Sequence, residues 1–409
     1  MQNTSDETVD WSFYNASGLT PVINVSGTMT SLGASMAGSA VQQAMVDILP
    51  RFAHIHELQT AASAAIAELT GAEAGFVTAS SSAGVSLATA ATLTGNDPGR
   101  AEHLPLVIGP KNEIVIQLGH LCNYGAPIEQ AMTLTGAEIV RFGHATHVMD
   151  HQLDAALSER TAAGVYVVSH EVVSYGQMPL RRFAEICHAH GVPVIVDAAS
   201  EYDLEGFLRE GADLVIYSAH KFLGGPTAGI VAGTRDLVRA AYLQNIGIGR
   251  GMKAGKESIW GTIAALQAWK ARDHDKIRKE EDGALRLWQD AASGFAGVEA
   301  RMVADPTGNP LNRLEITIAP EVAGTSAAGL AEGLAQGSPS IISRDMETEL
   351  GYLQFDPCNL ADGHAEIVAT QINALLTRAQ EDGLEEPDAD ARRNAAALGY
   401  RRWLEVTGS

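Results

Sequence analysis

The feature that most constrains the fold is a series of short, apolar, β-branched segments that alternate with helical patterns between residues 56 and 244. The apolar segments lie at 74–78, 113–117, 164–168, 192–196, 213–217 and 228–232. Helical spacing of apolar residues occupies 56–70, 83–94, 179–190 and 234–244. Strands that are apolar on both faces and alternate with helices form parallel sheets covered by helices. The pattern therefore predicts a three-layer α/β domain with a mostly parallel central sheet.

The pattern changes after residue 294. Short strands at 299–304, 312–318, 340–344 and 351–355 surround a helix at 324–335, which predicts a smaller C-terminal α+β domain. A long helix predicted over 257–290 would link the two domains. The chain is accordingly divided into an N-terminal arm (1–35), a large α/β domain (36–256), a linking helix (257–294), a small α+β domain (295–385) and a C-terminal tail (386–409).

The formal net charge of -21 over 409 residues argues against nucleic acid as a partner. No apolar run approaches 18 residues, and the first residues lack the basic start and apolar core of a signal peptide, so we expect neither a membrane span nor secretion. Cys122, Cys187 and Cys358 are widely spaced and odd in number, which indicates neither a disulfide framework nor a metal site. A cytoplasmic location is expected.

Two residues suggest a cofactor. Asp197 ends the buried strand in VIVDAAS (194–200), and Lys221 follows 24 residues later in YSAHKFLGGPTAGI (217–230). Pyridoxal 5'-phosphate (PLP) forms an imine with a lysine amine, and a carboxylate beside its pyridine nitrogen keeps the ring electron-accepting. The end of a strand in an open α/β sheet is where such a ligand binds. The alternative readings are a carboxylate that caps a helix and a lysine exposed on the surface.

These segments resemble fold type I PLP enzymes of the selenocysteine synthase branch. More narrowly, they resemble the D-glucosaminate-6-phosphate ammonia-lyase family, whose lysine segment has the form SGHKxLGGPxAG; here Ala219 replaces the glycine. The likeness extends to VINVSGTMTSLGAS (22–35), ELTGAEAGFVTASSSAG (68–84) and GRGMKAGKESIWGTIAAL (249–266). It covers most of residues 20–375, and it implies PLP held by Lys221 as a Schiff base in a homodimer or higher homo-oligomer.

The resemblance implies that residues 79–84 form a cup for the cofactor phosphate. Ser80, Ser81 and Ser82 offer hydroxyls at the start of a helix, where free N–H groups and the helix dipole favour anions. Ser82 has the alternative role of helix N-cap. Ser200 and Ser218 are further candidates for contacts with the cofactor.

Three histidines lie near the predicted strand ends. The resemblance implies that His120, in QLGHLCNYG, stacks on the pyridine ring; an ordinary loop or interface histidine is the alternative. His170 follows the strand VYVVS and is a candidate for cofactor binding. His220 precedes Lys221 and either tunes proton transfer by that lysine or orients the turn.

Two basic regions are candidates for substrate binding. Arg250, Lys253 and Lys256 would bind an anionic substrate group or the cofactor phosphate, in their own subunit or in a partner copy; an exposed basic loop is the alternative. By resemblance, Arg344 would clamp the substrate α-carboxylate, for which a planar guanidinium is suited. Arg313 is the less favoured alternative.

The expected reaction is an α,β-elimination on a small hydroxylated amino acid or amino-sugar acid, giving a 2-oxo acid and ammonia. Lys221 would be the general base at the α-carbon. The same site chemistry serves racemases, epimerases and aldolases, which stay as alternatives. Selenocysteine synthase must bind tRNA, which the net charge of -21 disfavours. A non-catalytic PLP-binding protein would need neither Asp197 nor Lys221.

Overall fold

A computed structural model describes residues 9–106 and 109–404. The chain forms two compact units. One comprises Ser35–Arg272 together with Pro306–Asn309. The other comprises 9–34, Asp273–Asp305 and 310–404 of the described residues.

The strands of the described residues are β1 (Val22–Val25), β2 (Ala74–Thr78), β3 (Glu113–Gln117), β4 (Glu138–Phe142), β5 (Thr161–Val167), β6 (Val194–Asp197), β7 (Leu214–Ser218), β8 (Gly229–Gly233), β9 (Val298–Ala304), β10 (Asn312–Ile318), β11 (Ser340–Ser343) and β12 (Tyr352–Phe355). The α-helices are α1 (Ser12–Ser17), α2 (Ser39–Ile48), α3 (Ile55–Thr70), α4 (Ser81–Thr94), α5 (Pro98–His103), α6 (Ile128–Thr133), α7 (Asp150–Ala156), α8 (Leu180–Ala189), α9 (Gly206–Arg209), α10 (Arg235–Leu243), α11 (Lys256–Ala271), α12 (His274–Ala292), α13 (Pro320–Ala323), α14 (Ala327–Ala335), α15 (His364–Asp382) and α16 (Ala389–Arg402).

The larger unit contains a seven-stranded sheet of order β2-β8-β7-β6-β5-β3-β4. Every neighbouring pair is parallel except the two that involve β8, which runs antiparallel to both β2 and β7. The predicted mostly parallel α/β sheet is confirmed. Because β3, β5, β6 and β7 are parallel, their carboxyl ends meet at one edge of the sheet.

Both faces of this sheet are buried, as the apolar runs require. In β6, Val194 and Val196 face one apolar core, and Ile195 faces the other. Helix α4 packs in the second core and is buried on nearly all sides, which its small and apolar sequence permits. The N-terminus of α4 is thereby fixed beside the strand ends.

The second unit combines an antiparallel sheet of order β12-β10-β9 with a parallel pair, β1 and β11. Its core contains Trp288 of α12, whose Nε1 donates to the carbonyl of Ala365 at 2.9 Å. This arrangement confirms the smaller α+β domain. Across the described ranges of the chain, no helix is long and apolar enough to cross a membrane.

The long helix predicted over 257–290 is wrong, because the structure forms two helices there. Helix α11 ends at Ala271, Arg272 is extended, and Asp273 caps the start of α12 by accepting the N–H of Lys276 at 3.0 Å. The carboxylate of Asp273 therefore begins a second helix where helix-forming residues on both sides predicted one.

Candidate active site

The candidate site lies where parallel strands of the large sheet end. Asp197 is the last residue of β6 and Ser218 is the last residue of β7. These strands are neighbours, with Asp197 opposite Ile216. Lys221 lies in the turn between β7 and β8. The topology brings the carboxylate and the amine to the sheet edge at which open α/β sheets bind ligands.

Asp197 is buried, Lys221 is half-buried, and the two influence each other electrostatically. Burial raises the pKa of Asp197 to about 6, although Lys221 and the N–H of Ala199, which lies 3.3 Å from its Oδ1, act in the opposite direction. Burial lowers the pKa of Lys221, while the charges of nearby carboxylates act to raise it. The amine is therefore deprotonated more easily than a surface lysine, as a nucleophile or base requires.

Ser200 is the direct partner of the lysine. Lys221 Nζ donates a hydrogen bond to Ser200 Oγ. Ser200 sits in a tight turn, in which the N–H of Glu201 donates to the carbonyl of Ala198 at 3.2 Å. This turn follows β6, so the strand that positions Asp197 also positions Ser200.

The serine-rich turn forms the N-terminus of α4. Ser80 is the N-cap, since its Oγ accepts the N–H of Ala83 at 3.1 Å, and the alternative of Ser82 as N-cap is wrong. The hydroxyls of Ser81 and Ser218 lie 3.0 Å apart. The hydroxyl of Tyr124 donates to Ser82 Oγ at 3.0 Å. Hydroxyl groups from three elements therefore gather where helix N–H groups favour an anion.

Gly229, the first residue of β8, explains how the turn approaches the sheet. A Cβ at this position would lie 2.1 Å from the carbonyl oxygen of Ser80 and 2.7 Å from the backbone nitrogen of Ser81. Backbone atoms cannot retreat as a flexible side chain can, so only glycine fits here. The GGPTAG segment thus serves both the lysine turn and the serine turn.

The basic loop lies against the serine turn. The hydroxyl of Thr78 and the N–H of Ala79 both donate to the carbonyl of Met252, at 2.7 and 3.0 Å. Arg250 and Lys253 flank this carbonyl and are exposed. Lys256 instead donates to the carbonyls of Leu49 and Arg51, which ties it to the loop after α2. Arg250 and Lys253 are thus the two members of the cluster beside the serine turn.

The three candidate histidines differ in environment. His120 is buried, its Nδ1 accepts the N–H of Val167 at 3.1 Å, and burial lowers its pKa to about 4. His170 is half-buried, with Nε2 at 3.6 Å from Glu171 Oε1. Burial and the charge of Lys221 lower the pKa of His220. Its buried Nδ1 has no hydrogen-bond partner among the residues that the structure describes.

The two candidate carboxylate clamps lie in the second unit. Arg344 is buried after β11, with Nη2 at 3.7 Å from Glu347 Oε1. Arg313 bonds to two buried carboxylates, Asp305 at 2.6 Å and Asp356 at 3.0 Å. Because these carboxylates already engage its guanidinium, the geometry disfavours Arg313 as a clamp.

Sequence reasoning missed four residues around the lysine. Glu171, Glu201 and Cys122 influence the pKa of Lys221, and Tyr124 bonds the serine turn. Three of them follow a strand within a few residues: Cys122 comes after β3, Glu171 after β5 and Glu201 after β6. The signal that could have found them is this position at the carboxyl edge of the sheet.

PLP requires an amine for its aldehyde, an anion for its ring nitrogen and hydrogen-bond donors for its phosphate. The larger unit offers Lys221, Asp197 and the N-terminus of α4 with its serines, and the bond between Ser81 and Ser218 joins the last group to the lysine turn. The glycine that admits the turn backbone at Gly229 belongs to the same constellation. The residues present therefore fit the cofactor.

Comparison with known proteins agrees with this fit. Residues 42–263 match the aminotransferase class-V family, and a solved structure of D-glucosaminate-6-phosphate ammonia-lyase superimposes with a TM-score of 0.80 at 31% identity, covering 91% of this chain and 99% of that one. The fold and site define a PLP-dependent enzyme of fold type I. The chain belongs to the aminotransferase class-V family.

Two curated relatives match nearly the whole chain. The 5'-C-glycyluridine monooxygenase-decarboxylase of Streptomyces sp is 37% identical, with 89% of this chain and 92% of the relative covered. The D-glucosaminate-6-phosphate ammonia lyase of Salmonella typhimurium (strain 14028s / SGSC 2262) is 33% identical, with 90% and 99% covered. The resemblance inferred from the sequence motifs is confirmed.

Proposed function

We propose that this protein is a PLP-dependent ammonia-lyase that acts by α,β-elimination on a hydroxylated amino acid or amino-sugar acid and releases a 2-oxo acid and ammonia. The observation that carries the proposal is the half-buried amine of Lys221, which contacts Ser200 and interacts with the buried carboxylate of Asp197 at the sheet edge. The 33% identity to an ammonia lyase along almost the full length of both chains supports this reaction class.

Bound PLP supplies an electron-accepting ring that stabilises negative charge at the substrate α-carbon. Asp197 would face the ring nitrogen and is ionised above its pKa of about 6. Lys221, whose pKa burial lowers, would remove the proton from the α-carbon. The hydroxyl of Ser200 would hold the amine in place during this transfer.

The same lysine is the best candidate for the acid that protonates the leaving hydroxyl. His120 is a poor cationic acid near neutral pH, since burial lowers its pKa to about 4. Its Nδ1 already accepts a backbone N–H, so the neutral ring carries its proton on Nε2. Lys221, charged after taking the α-proton, would pass that proton to the hydroxyl, which leaves as water.

Anionic parts of the substrate and cofactor have distinct candidate partners. Ser80, Ser81, Ser82 and Ser218 would hold the cofactor phosphate at the start of α4. Arg250 and Lys253, exposed beside that turn, would bind an anionic group on the substrate or assist with the phosphate. Arg344 would bind the substrate carboxylate.

A second candidate function has a specific observation in its favour. The relative with 37% identity is named a monooxygenase-decarboxylase of 5'-C-glycyluridine. That reaction class would use the same amine and carboxylate, but it would consume oxygen and release carbon dioxide rather than ammonia. The two activities therefore differ in products that can be measured directly.

The partner proposed for the chain is a second copy of itself. Exposed apolar side chains occur on α2, the loop after it, the start of α3 and α11, and a hydrogen bond from Lys256 holds that loop against α11. These side chains are Val46, Leu49, Phe52, Ile55 and Trp260. An apolar patch of this kind favours a protein interface.

The free cysteines Cys122, Cys187 and Cys358 support a reducing compartment, the cytoplasm.

A product assay tests the proposed reaction. PLP-loaded protein is incubated with D- and L-hydroxy amino acids and with amino-sugar acids and their phosphates, and ammonia, 2-oxo acid, oxygen uptake and carbon dioxide are measured. We expect equimolar ammonia and 2-oxo acid with one substrate class, loss of both in Lys221→Ala, and retention in Lys279→Ala, an exposed lysine on α12. Oxygen uptake with carbon dioxide, or racemised or cleaved substrate without ammonia, would contradict the lyase.

A further inference from the structure

The four-residue segment Pro306–Asn309 lies between β9 and β10 in sequence but belongs to the unit that carries the lysine. Within that unit, Asn309 contacts the turn after β6 through both ends of its amide. Its Oδ1 accepts the N–H of Tyr202 at 2.8 Å, and its Nδ2 lies 3.4 Å from the carbonyl of Ser200. One side chain therefore spans the turn from residue 200 to residue 202.

Thr307 engages the residue between them. Its hydroxyl donates to Glu201 Oε2 at 2.9 Å and also receives a hydrogen bond from Asn309 Nδ2 at 3.0 Å. Gly308 has a φ of +86°, and a Cβ there would meet no described atom within 4 Å, so the constraint at this position is conformational. The left-handed glycine reverses the chain and lets both neighbouring side chains meet the same turn.

This turn is the immediate environment of the reactive amine. Ser200 accepts a hydrogen bond from Lys221, and the buried carboxylate of Glu201 is one of the charges that act on Lys221. The ring of Tyr202, the last residue of the turn, packs against Phe222, which follows the lysine, with ring centroids 4.1 Å apart. A shift of the turn would therefore change both the contact and the field at the amine.

We propose that Thr307 and Asn309 are positioning residues that hold the turn 200–202 against Lys221 and thereby set the acid–base behaviour of its amine. The proposal rests on the proposed function only in treating Lys221 as the reactive amine. The other titratable groups that interact with Lys221 are Asp197, Glu171, Cys122 and His220. Thr307 acts on the amine through Glu201, because the hydrogen bond from the Thr307 hydroxyl stabilises the ionised carboxylate of Glu201.

The test measures the pH at which the amine of Lys221 loses its proton. Competitive acetylation of the full-length protein freed of cofactor, read by peptide mass spectrometry across pH, gives a titration midpoint for each lysine. Thr307→Val removes the hydroxyl that orients Glu201, so a carboxylate that raises the pKa of Lys221 is less firmly held. We expect the Lys221 midpoint to fall by about 0.5 pH units or more. Thr307→Ser should restore it, and Asn309→Ala should lower it as well.

Thr377→Val is the matched control, since this exposed threonine of α15 donates only locally, to the carbonyl of Asn373 at 2.8 Å, and should leave the midpoint unchanged. The pH titration of the visible absorbance of the PLP-loaded variants provides a second reading and should show the same order. If Asn309→Ala fails to fold, the Thr307→Val and Thr307→Ser pair decides. An unchanged midpoint in folded Thr307→Val, or loss of folded protein in that variant too, overturns the proposal. A shifted midpoint in a protein without lyase activity keeps this proposal and overturns the proposed function.

Discussion

Asp197 carries a free-energy cost in the cofactor-free chain. Burial raises its folded pKa from 3.8 to about 6, so the folded state binds more protons than the unfolded state between these values. Stability from this group is therefore fully present below pH 3.8 and is lost as the pH rises through about 6. A difference of this size corresponds to a penalty on the order of 2–3 kcal/mol at neutral pH.

Asp197→Asn should consequently stabilise the cofactor-free protein while removing activity. We expect urea unfolding at pH 8 to give a higher free energy of unfolding for the variant, and its stability to change less between about pH 4 and 6. The turnover number of the loaded enzyme should fall by about 100-fold or more, because the charge at the ring nitrogen is lost. The exposed Asp154→Asn serves as control. A variant that is less stable than the wild type at pH 8 would show that the carboxylate is favourably paired instead.

The site was predictable in part from single residues. Asp197 and Lys221 stand out because one ends an apolar strand and the other sits in a distinctive glycine-rich segment. Glu201 carries only the weaker signal of following β6 within a few residues, and Tyr124 carries no such signal, because its relevance depends on which elements become neighbours. Two further assignments stay predictions. They are the binding of the cofactor phosphate by Ser80, Ser81 and Ser82, and the roles of His120, His170 and His220.

At the scale of elements, the junction of α4 with β8 joins the serine turn to the lysine turn. Gly229→Ala would force a methyl group against the backbone of Ser80 and Ser81. We expect the affinity for PLP to fall by about 10-fold or more, because the methyl group would displace the backbone that supports the phosphate site. Equilibrium titration followed by fluorescence measures it.

Gly283→Ala is the matched control for this substitution. Gly283 lies within α12, and a Cβ there would meet no described atom within 4 Å. The substitution should leave PLP affinity unchanged and stabilise the helix by about 0.5–1 kcal/mol. Wild-type affinity in Gly229→Ala would mean that the turn adapts and that its backbone position does not control binding.

The predicted bounds of strands and helices match the structure closely for some elements and not for others, and the differences have physical causes. Strands β2, β3 and β10 were predicted to the residue. Apolar residues fill most of β2 and β3, and in β10 Leu314, Ile316 and Ile318 alternate with polar residues. Strand β4 was missed because this edge strand is only partly buried, unlike β2 at the other edge, and its short sequence carries charges at Glu138 and Arg141. The interruption between α11 and α12 was missed because Asp273 lies among residues that favour helix on both sides.

At the scale of the whole molecule, the apolar patch around Phe52 predicts self-association. Phe52→Asp places a charge at the most exposed large apolar residue of the patch. Sedimentation velocity should show a wild-type dimer and a variant whose self-association is weakened by about 10-fold or more, since large aromatic residues dominate such interfaces. Phe13→Asp, at an exposed phenylalanine of α1, should behave as the wild type. A wild-type protein that is monomeric at micromolar concentration would refute the proposed interface.

The role of Lys221 as the cofactor-binding lysine is tested by locating the cofactor on the chain. The PLP-loaded protein is reduced with borohydride, digested and mapped by peptide mass spectrometry. We expect one pyridoxyl-phosphate adduct, on Lys221, that is absent from Lys221→Arg. An adduct on a different lysine, or none at all in a protein saturated with PLP, would contradict this role.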